Sequence, residues 1–116
     1  MTFMESVRTC FDKILTIDGR ARRSEFWYFA LFVWIVSFIL NLIFKDGNIV
    51  ARLITLVLNV ATITVSIRRL HDVGKSGYWL LLELVPIIGW AILIYFYVQD
   101  SMPGRNQYGE NPKGIY

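Results

Sequence analysis

FWYFALFVWIVSFILNLIF, residues 26–44, runs for nineteen residues without a charge. At 1.5 Å per residue such a helix approaches the roughly 30 Å of hydrocarbon in a bilayer, which takes about 20 residues to cross. Its neighbours read in the same terms. Residues 49–67 carry only Arg52, three residues from the start, where the aliphatic stem lets the guanidinium reach the headgroups. Residues 78–98 carry only Glu83 and place Tyr78, Trp79, Tyr95 and Tyr97 at their two ends, where amphipathic rings sit at a membrane interface. Three spans are therefore expected, at 26–44, 49–67 and 78–98. The links between them are too short to fold independently, so residues 1–116 read as one membrane domain. Pro86 and Gly89 interrupt the third block and offer an alternative, a hairpin that re-enters from the same side. A kinked span is preferred, because proline is tolerated in membrane helices whose neighbours re-satisfy the freed backbone.

Composition supports a bilayer over water. Hydrophobic residues make up 55% of the 116 and charged residues 18%, against about 45–50% and 25% in soluble domains. Mean hydropathy is +0.47. Disordered, collagen-like and disulfide-stapled classes are excluded, and Cys10, the single cysteine, has no intrachain partner. The first apolar block is too long and begins too late for a cleaved signal peptide, so it is expected to be retained.

Flanking charge sets the expected orientation. Arg8, Lys13, Arg20, Arg22, Arg23, Arg68, Arg69 and Lys75 share one side of a three-span arrangement, and Lys45, Arg52, Arg105 and Lys113 the other. Eight against four puts the N-terminus in the cytoplasm and the C-terminus outside. The re-entrant alternative returns the tail and makes the count ten against two. Ahead of the first span, Met4, Val7, Phe11, Ile14 and Leu15 recur at helical spacing, the pattern of an amphipathic helix over 3–18 lying in the interface. Residues 99–116 are rich in turn formers and read as a polar, extended tail. The expected fold class is thus an all-α integral membrane protein of three transmembrane helices, an interfacial helix and a polar tail.

Within the second block Arg52, Thr55, Asn59, Thr62, Ser66 and Arg69 fall three or four residues apart on one helix face. Such a stripe avoids lipid by hydrogen-bonding to protein, each contact contributing on the order of 0.6 kcal/mol. Ser37 and Asn41 on the first block and Glu83 on the third extend it into an intramembrane polar seam. Two readings follow: a polar glue between helices or copies of the chain, or an ion or proton path with Glu83 as the titrating group.

Residues 68–77, RRLHDVGKSG, concentrate chemically capable side chains. A phosphate-binding P-loop needs glycine where this chain has Arg69, and a metal-phosphohydrolase site needs more histidines than His71 alone. A Cys10–His71 nucleophile pair is weaker than the reading of Cys10 as a small apolar filler. No catalytic residue, metal ligand or cofactor is expected. Arg20, Arg22, Arg23, Arg68, Arg69, His71, Asp72 and Lys75 instead read as a basic collar at the cytoplasmic headgroups, for anionic lipid or a membrane partner. A net charge of +3 with basic residues beside the spans makes nucleic acid a poor partner.

Gly19-Arg20-Ala21-Arg22-Arg23-Ser24-Glu25-Phe26-Trp27, Arg68-Arg69-Leu70-His71-Asp72 with Gly74, Ser76-Gly77 and Trp79, Pro86-Ile87-Ile88-Gly89, and Gly104, Asn106, Tyr108-Gly109 and Pro112 together resemble a known family. The pattern is similar to that of the small bacterial inner-membrane proteins of the YhaH/YhaI type, domain of unknown function 805. Val73, Lys75 and Gln107 are mild departures from it. The resemblance implies the bacterial inner membrane and carries no activity or substrate. The expectation is a non-enzymatic membrane component that engages lipid or protein, as a homo-oligomer or with a partner. The alternative is a small transporter using the polar seam.

Overall fold

The computed structural model describes residues 2–44, 48–102, 104–109 and 112. Its elements are α1 (Phe3–Asp12), α2 (Arg23–Ile43), α3 (Ile49–Asp72), a 3-10 helix (Gly77–Leu84) and α4 (Ile88–Val98). Two of them, α2 and α3, are long and apolar enough to cross a membrane.

The Thr2 hydroxyl opens α1 by accepting from the Glu5 amide at 3.2 Å and donating to the Glu5 carboxylate at 3.1 Å. The helix ends at Asp12, short of the expected 18, and lies along α2. Phe3 meets Tyr28 and Phe32, and Phe11 meets Phe29 and Phe32, edge to face with centroids 5.6–6.3 Å apart. Val7 and Cys10 are buried there, while Met4 and Leu15 stay exposed. The apolar stripe of α1 is thus mostly packed on protein.

The outer faces of α2 and α3 are a belt of exposed apolar side chains, with Trp34, Phe38, Leu42, Leu53 and Leu56 among them. A water-soluble domain this small rarely exposes so continuous an apolar surface. Asn48 caps α3 through its side-chain oxygen, which accepts from the Val50 and Ala51 amides at 2.9 and 3.1 Å. The helix runs to Asp72, five residues past the expected end of the block, so Arg68 to Asp72 are its last turn and not a loop. Gly74 at φ +80° then turns the chain, with the Lys75 amide reaching back to the Leu70 carbonyl at 2.8 Å.

The third block is not one helix. Ser76 caps the 3-10 segment by accepting from the Tyr78 amide, the chain reverses at residues 85–87, and α4 returns alongside. Pro86 lacks a backbone N–H and disfavours helical geometry at Val85, so the helix cannot continue through it. Ile87 takes up the reversal at φ +68°, a costly conformation for a β-branched residue. The indole of Trp90 closes the hairpin on the Glu83 carbonyl at 3.0 Å. At about 2.0 Å per 3-10 residue and 1.5 Å per α residue, each arm is about half the length a span requires. A continuous transmembrane helix over 78–98 is therefore corrected to a short hairpin, the alternative that Pro86 and Gly89 allow.

Gly89 makes the hairpin possible. A Cβ there would sit 1.9 Å from the Leu82 carbonyl oxygen. Gly89→Ala is expected to destabilise the protein by about 3 kcal/mol, at the upper end for overpacking, because the obstacle is backbone and cannot rotate away. Thermal unfolding in detergent checks this, and an unchanged midpoint would mean the arms are not in contact.

Candidate functional site

At the end of the bundle where α2 begins and α3 finishes, three arginines and two carboxylates are buried together. Asp72 is fully buried and accepts from Arg20 Nε at 2.9 Å, Arg69 Nη1 at 2.5 Å and the Ser101 hydroxyl at 2.5 Å. Burying a carboxylate is tolerable only with such partners, and the Arg–Asp bonds are charge-assisted. Arg20 continues outward, donating to the carbonyls of Asp72, Met102, Gly104 and Gly109. The Met102 amide returns a bond to the Asp72 carbonyl at 2.8 Å.

Arg69 donates to the carbonyls of Tyr97 and Gln99. Trp27 Nε1 also reaches the Tyr97 carbonyl, and Arg23 reaches that of Val98, both at 3.0 Å. These are orphan carbonyls at the C-terminus of α4, where the helix dipole favours cations. The return arm of the hairpin is thereby pinned beside the start of α2.

Arg68 donates from Nη1 to both oxygens of Glu25, at 3.2 and 3.1 Å. Its Nε and Nη2 are buried without a hydrogen-bond partner among the described residues. Beside this pair lies Cys10, whose thiol is pushed up to about 12, by burial first and then by the Glu25 charge. A thiolate is the reactive form, and burial holds the Cys10 thiol neutral and packed against its neighbours.

His71 hydrogen-bonds through Nδ1 to the Gly19 carbonyl at 2.9 Å, which places the proton on that nitrogen. Its ring stacks on Tyr108 with centroids 3.9 Å apart, and the Asn106 amide donates to the His71 carbonyl at 2.9 Å. Residues 99–102 and 104–109 are therefore folded onto the end of α3. The expected extended tail is corrected over these residues, because Arg20 and Asp72 supply the partners their backbone would otherwise find in water; residues 103, 110, 111 and 113–116 lie outside the described residues.

Of the expected collar, Arg20, Arg68, Arg69, His71 and Asp72 are brought together, yet facing inward. Arg68, Arg69 and Asp72 have no exposed surface, so a headgroup-facing collar built on them is corrected to an internal ion-pair cluster. Lys75 stands apart, with its ammonium 5.7 and 5.4 Å from the ring centres of Trp79 and Phe96. Arg22 is half-buried and Arg23 exposed at the start of α2. Glu25, noted in the sequence only within the family pattern, and Ser101, not singled out there, complete the cluster. Glu25 carried the available signal, a carboxylate one residue before an apolar block that must find a cation or leave the interior.

The polar seam is divided. Ser37, Asn41, Thr55 and Asn59 line a cavity of about 590 Å³ between α2 and α3, toward their connecting end, together with Asn48 and Arg52. Thr55 and Thr62 donate to their own helix, at the carbonyls of Ala51 and Leu58. Ser66 is buried near the charge cluster. Glu83 is exposed and lies in a separate shallow pocket with Trp90, Leu93, Ile94 and Tyr97. A single path linking Glu83 to Asn59 is corrected accordingly, since the hairpin carries Glu83 to its own concavity.

The family described as "Protein of unknown function (DUF805)" matches residues 14–110, which hold all three buried arginines and both carboxylates. The chain belongs to the DUF805 family. It is 40% identical over 100 residues to inner membrane protein YhaI of Escherichia coli K12, covering 83% of this chain and 85% of YhaI. It is 39% identical over 103 residues to inner membrane protein YhaH of the same strain, covering 82% and 85%. No solved structure matches it. DUF805 membership and the two apolar helices agree on a membrane protein.

Proposed function

We propose that this DUF805 protein is a non-enzymatic, multi-pass component of the bacterial inner membrane that works through contacts with lipid or another membrane protein. Both termini lie in the cytoplasm, α2 and α3 span, and residues 77–98 re-enter from the cytoplasmic side. The observation carrying this reading is the bonding of Arg20 and Arg69 to the carbonyls of residues 97–109, which ties the chain after the hairpin to the start of α2. With the tail on that side, ten basic residues lie at one end and Lys45 and Arg52 at the other, a strong cytoplasmic bias by the positive-inside rule. The non-enzymatic part follows from chemistry. The arginines and carboxylates that would serve a reaction hold one another, and the remaining surface of α2 and α3 is apolar apart from one groove.

Paired reporters, one active only in the cytoplasm and one only outside it, test the topology. Fused after Tyr116, the cytoplasmic reporter is expected to be active and the external one silent; inserted after Phe44, the pattern reverses. External activity at Tyr116 would contradict the reading.

A further inference from the structure

We propose that the groove between α2 and α3 is a binding site for the phosphoglycerol headgroup of an anionic phospholipid. The proposal rests on α2 and α3 spanning the bilayer, and not on which end faces the cytoplasm.

Among the described residues, the side chains of Ser37, Asn41, Arg52 and Asn59 have no hydrogen-bond or ion-pair partner, although all four line the same cavity. The Asn48 oxygen is occupied by the α3 cap, which leaves its amide N–H groups to donate. Apolar side chains share the lining, Leu40, Phe44 and the exposed Leu56 among them. Acyl chains can satisfy none of these polar groups, and leaving a polar group unpaired in hydrocarbon costs several kcal/mol. Something polar belongs in the groove.

Depth and charge identify it. At 1.5 Å per residue, Asn41 and Arg52 lie about 3–5 Å inside the ends of their helices, Ser37 and Thr55 about 9 Å, and Asn59 about 15 Å. A phospholipid presents polar groups in the matching order, its phosphate outermost and its ester carbonyls a few ångströms deeper. Arg52 is positioned for the phosphate, where a guanidinium forms charge-assisted and bidentate bonds. Ser37 and Asn59, as donors, face the ester level and below. The described lining holds one cation and no carboxylate. Among the described residues an ammonium headgroup such as ethanolamine would find no counter-charge, whereas glycerol hydroxyls match the amides of Asn41 and Asn48. A second copy of the chain fits less well, because a symmetric contact through this face would bring two Arg52 side chains together. With the termini in the cytoplasm the groove opens in the outer leaflet, and inverted topology moves the site to the other leaflet without removing it.

Native mass spectrometry of the full chain from detergent micelles tests this, with phosphatidylglycerol, phosphatidylethanolamine and inorganic phosphate titrated separately. One phosphatidylglycerol per chain is expected, at concentrations where the other two leave the protein bare. Arg52→Gln is expected to weaken binding about tenfold or more, the loss of one hydrogen-bonded charge contact. Arg52 has no side-chain partner among the described residues, so the variant is expected to fold. Arg8→Gln, exposed on α1 at the opposite end, is expected to bind as the wild type does. Equal binding by Arg52→Gln, equal retention of phosphatidylethanolamine, or saturation by inorganic phosphate alone would each overturn the proposal. So would a lipid-free dimer that excludes phosphatidylglycerol, which would assign the groove to a second copy.

Discussion

Asp72→Asn is expected to lower stability by about 3–5 kcal/mol, the cost of removing one partner from a buried ion pair. The substitution is nearly isosteric, so it removes charge with little change in packing. Asp72 is bonded to both Arg20 and Arg69, and it also accepts from Ser101. Without its charge, two buried guanidinium groups are left with neutral carbonyls. The effect is also directional. Gln99, Ser101, Met102, Gly104 and Gly109 are held by Arg20, Arg69 and Asp72, so docking of this segment should fail before the α2–α3 pair separates. Thermal unfolding in detergent is expected to show a midpoint lower by about 10 °C or more, and trypsin should cut sooner after Arg105. A variant within about 0.5 kcal/mol of the wild type would show that Asp72 is not the centre of the cluster.

Glu25 and Arg68 give the second large effect, and here the comparison of single and double substitutions carries the information. Glu25→Leu leaves Arg68 buried without its carboxylate, and its Nε and Nη2 have no hydrogen-bond partner among the described residues to compensate. Arg68→Met leaves Glu25 buried without a cation. Each single change is expected to cost about 3–5 kcal/mol, whereas Glu25→Leu combined with Arg68→Met should return to within about 1–2 kcal/mol of the wild type. Unfolding free energies of the four proteins measure the coupling. Cys10 reports on the same pair, because the Glu25 charge raises its pKa and Arg68 lowers it. Maleimide should therefore label Cys10 faster in Glu25→Leu. Additive losses would show that the two residues do not pair.

What the sequence made legible follows from how local each signal is. The spans α2 and α3 are written in uninterrupted apolar runs, and the amphipathic spacing of Val7 and Phe11 marks α1. Pro86 and Gly89 contained the hairpin as well, since both are required where the backbone reverses and crowds against Leu82. The choice between kink and hairpin, however, depends on what holds the far end of α4. That is Arg69, 28 residues before Tyr97. The charge cluster was legible in its members and not in its direction. Arg20, Arg68, Arg69, His71 and Asp72 stood out together, yet basic residues beside a span are assigned to headgroups unless a buried counter-charge is known. Asp72 and Glu25 supply it from 52 and 43 residues away, a separation no local pattern encodes. The seam failed for a related reason. Helical spacing placed Thr55 and Asn59 on one face, but Glu83 belongs to an arm whose position is set by the hairpin.

The account stands on the return of residues 77–98 to the end where α2 begins, and two spin-label distances test it most directly. With Cys10 replaced by alanine, labels are placed at Arg22 and Gln107 in one protein and at Ile49 and Gln107 in another. Arg20 binds Gly104 and Gly109, so the first pair is expected within about 20 Å, given a reach of about 3.5 Å per residue. The second pair is separated by the length of α3, about 36 Å at 1.5 Å per residue. A 22–107 distance beyond about 30 Å with a short 49–107 distance would mean that the third block crosses the bilayer, and would contradict the account.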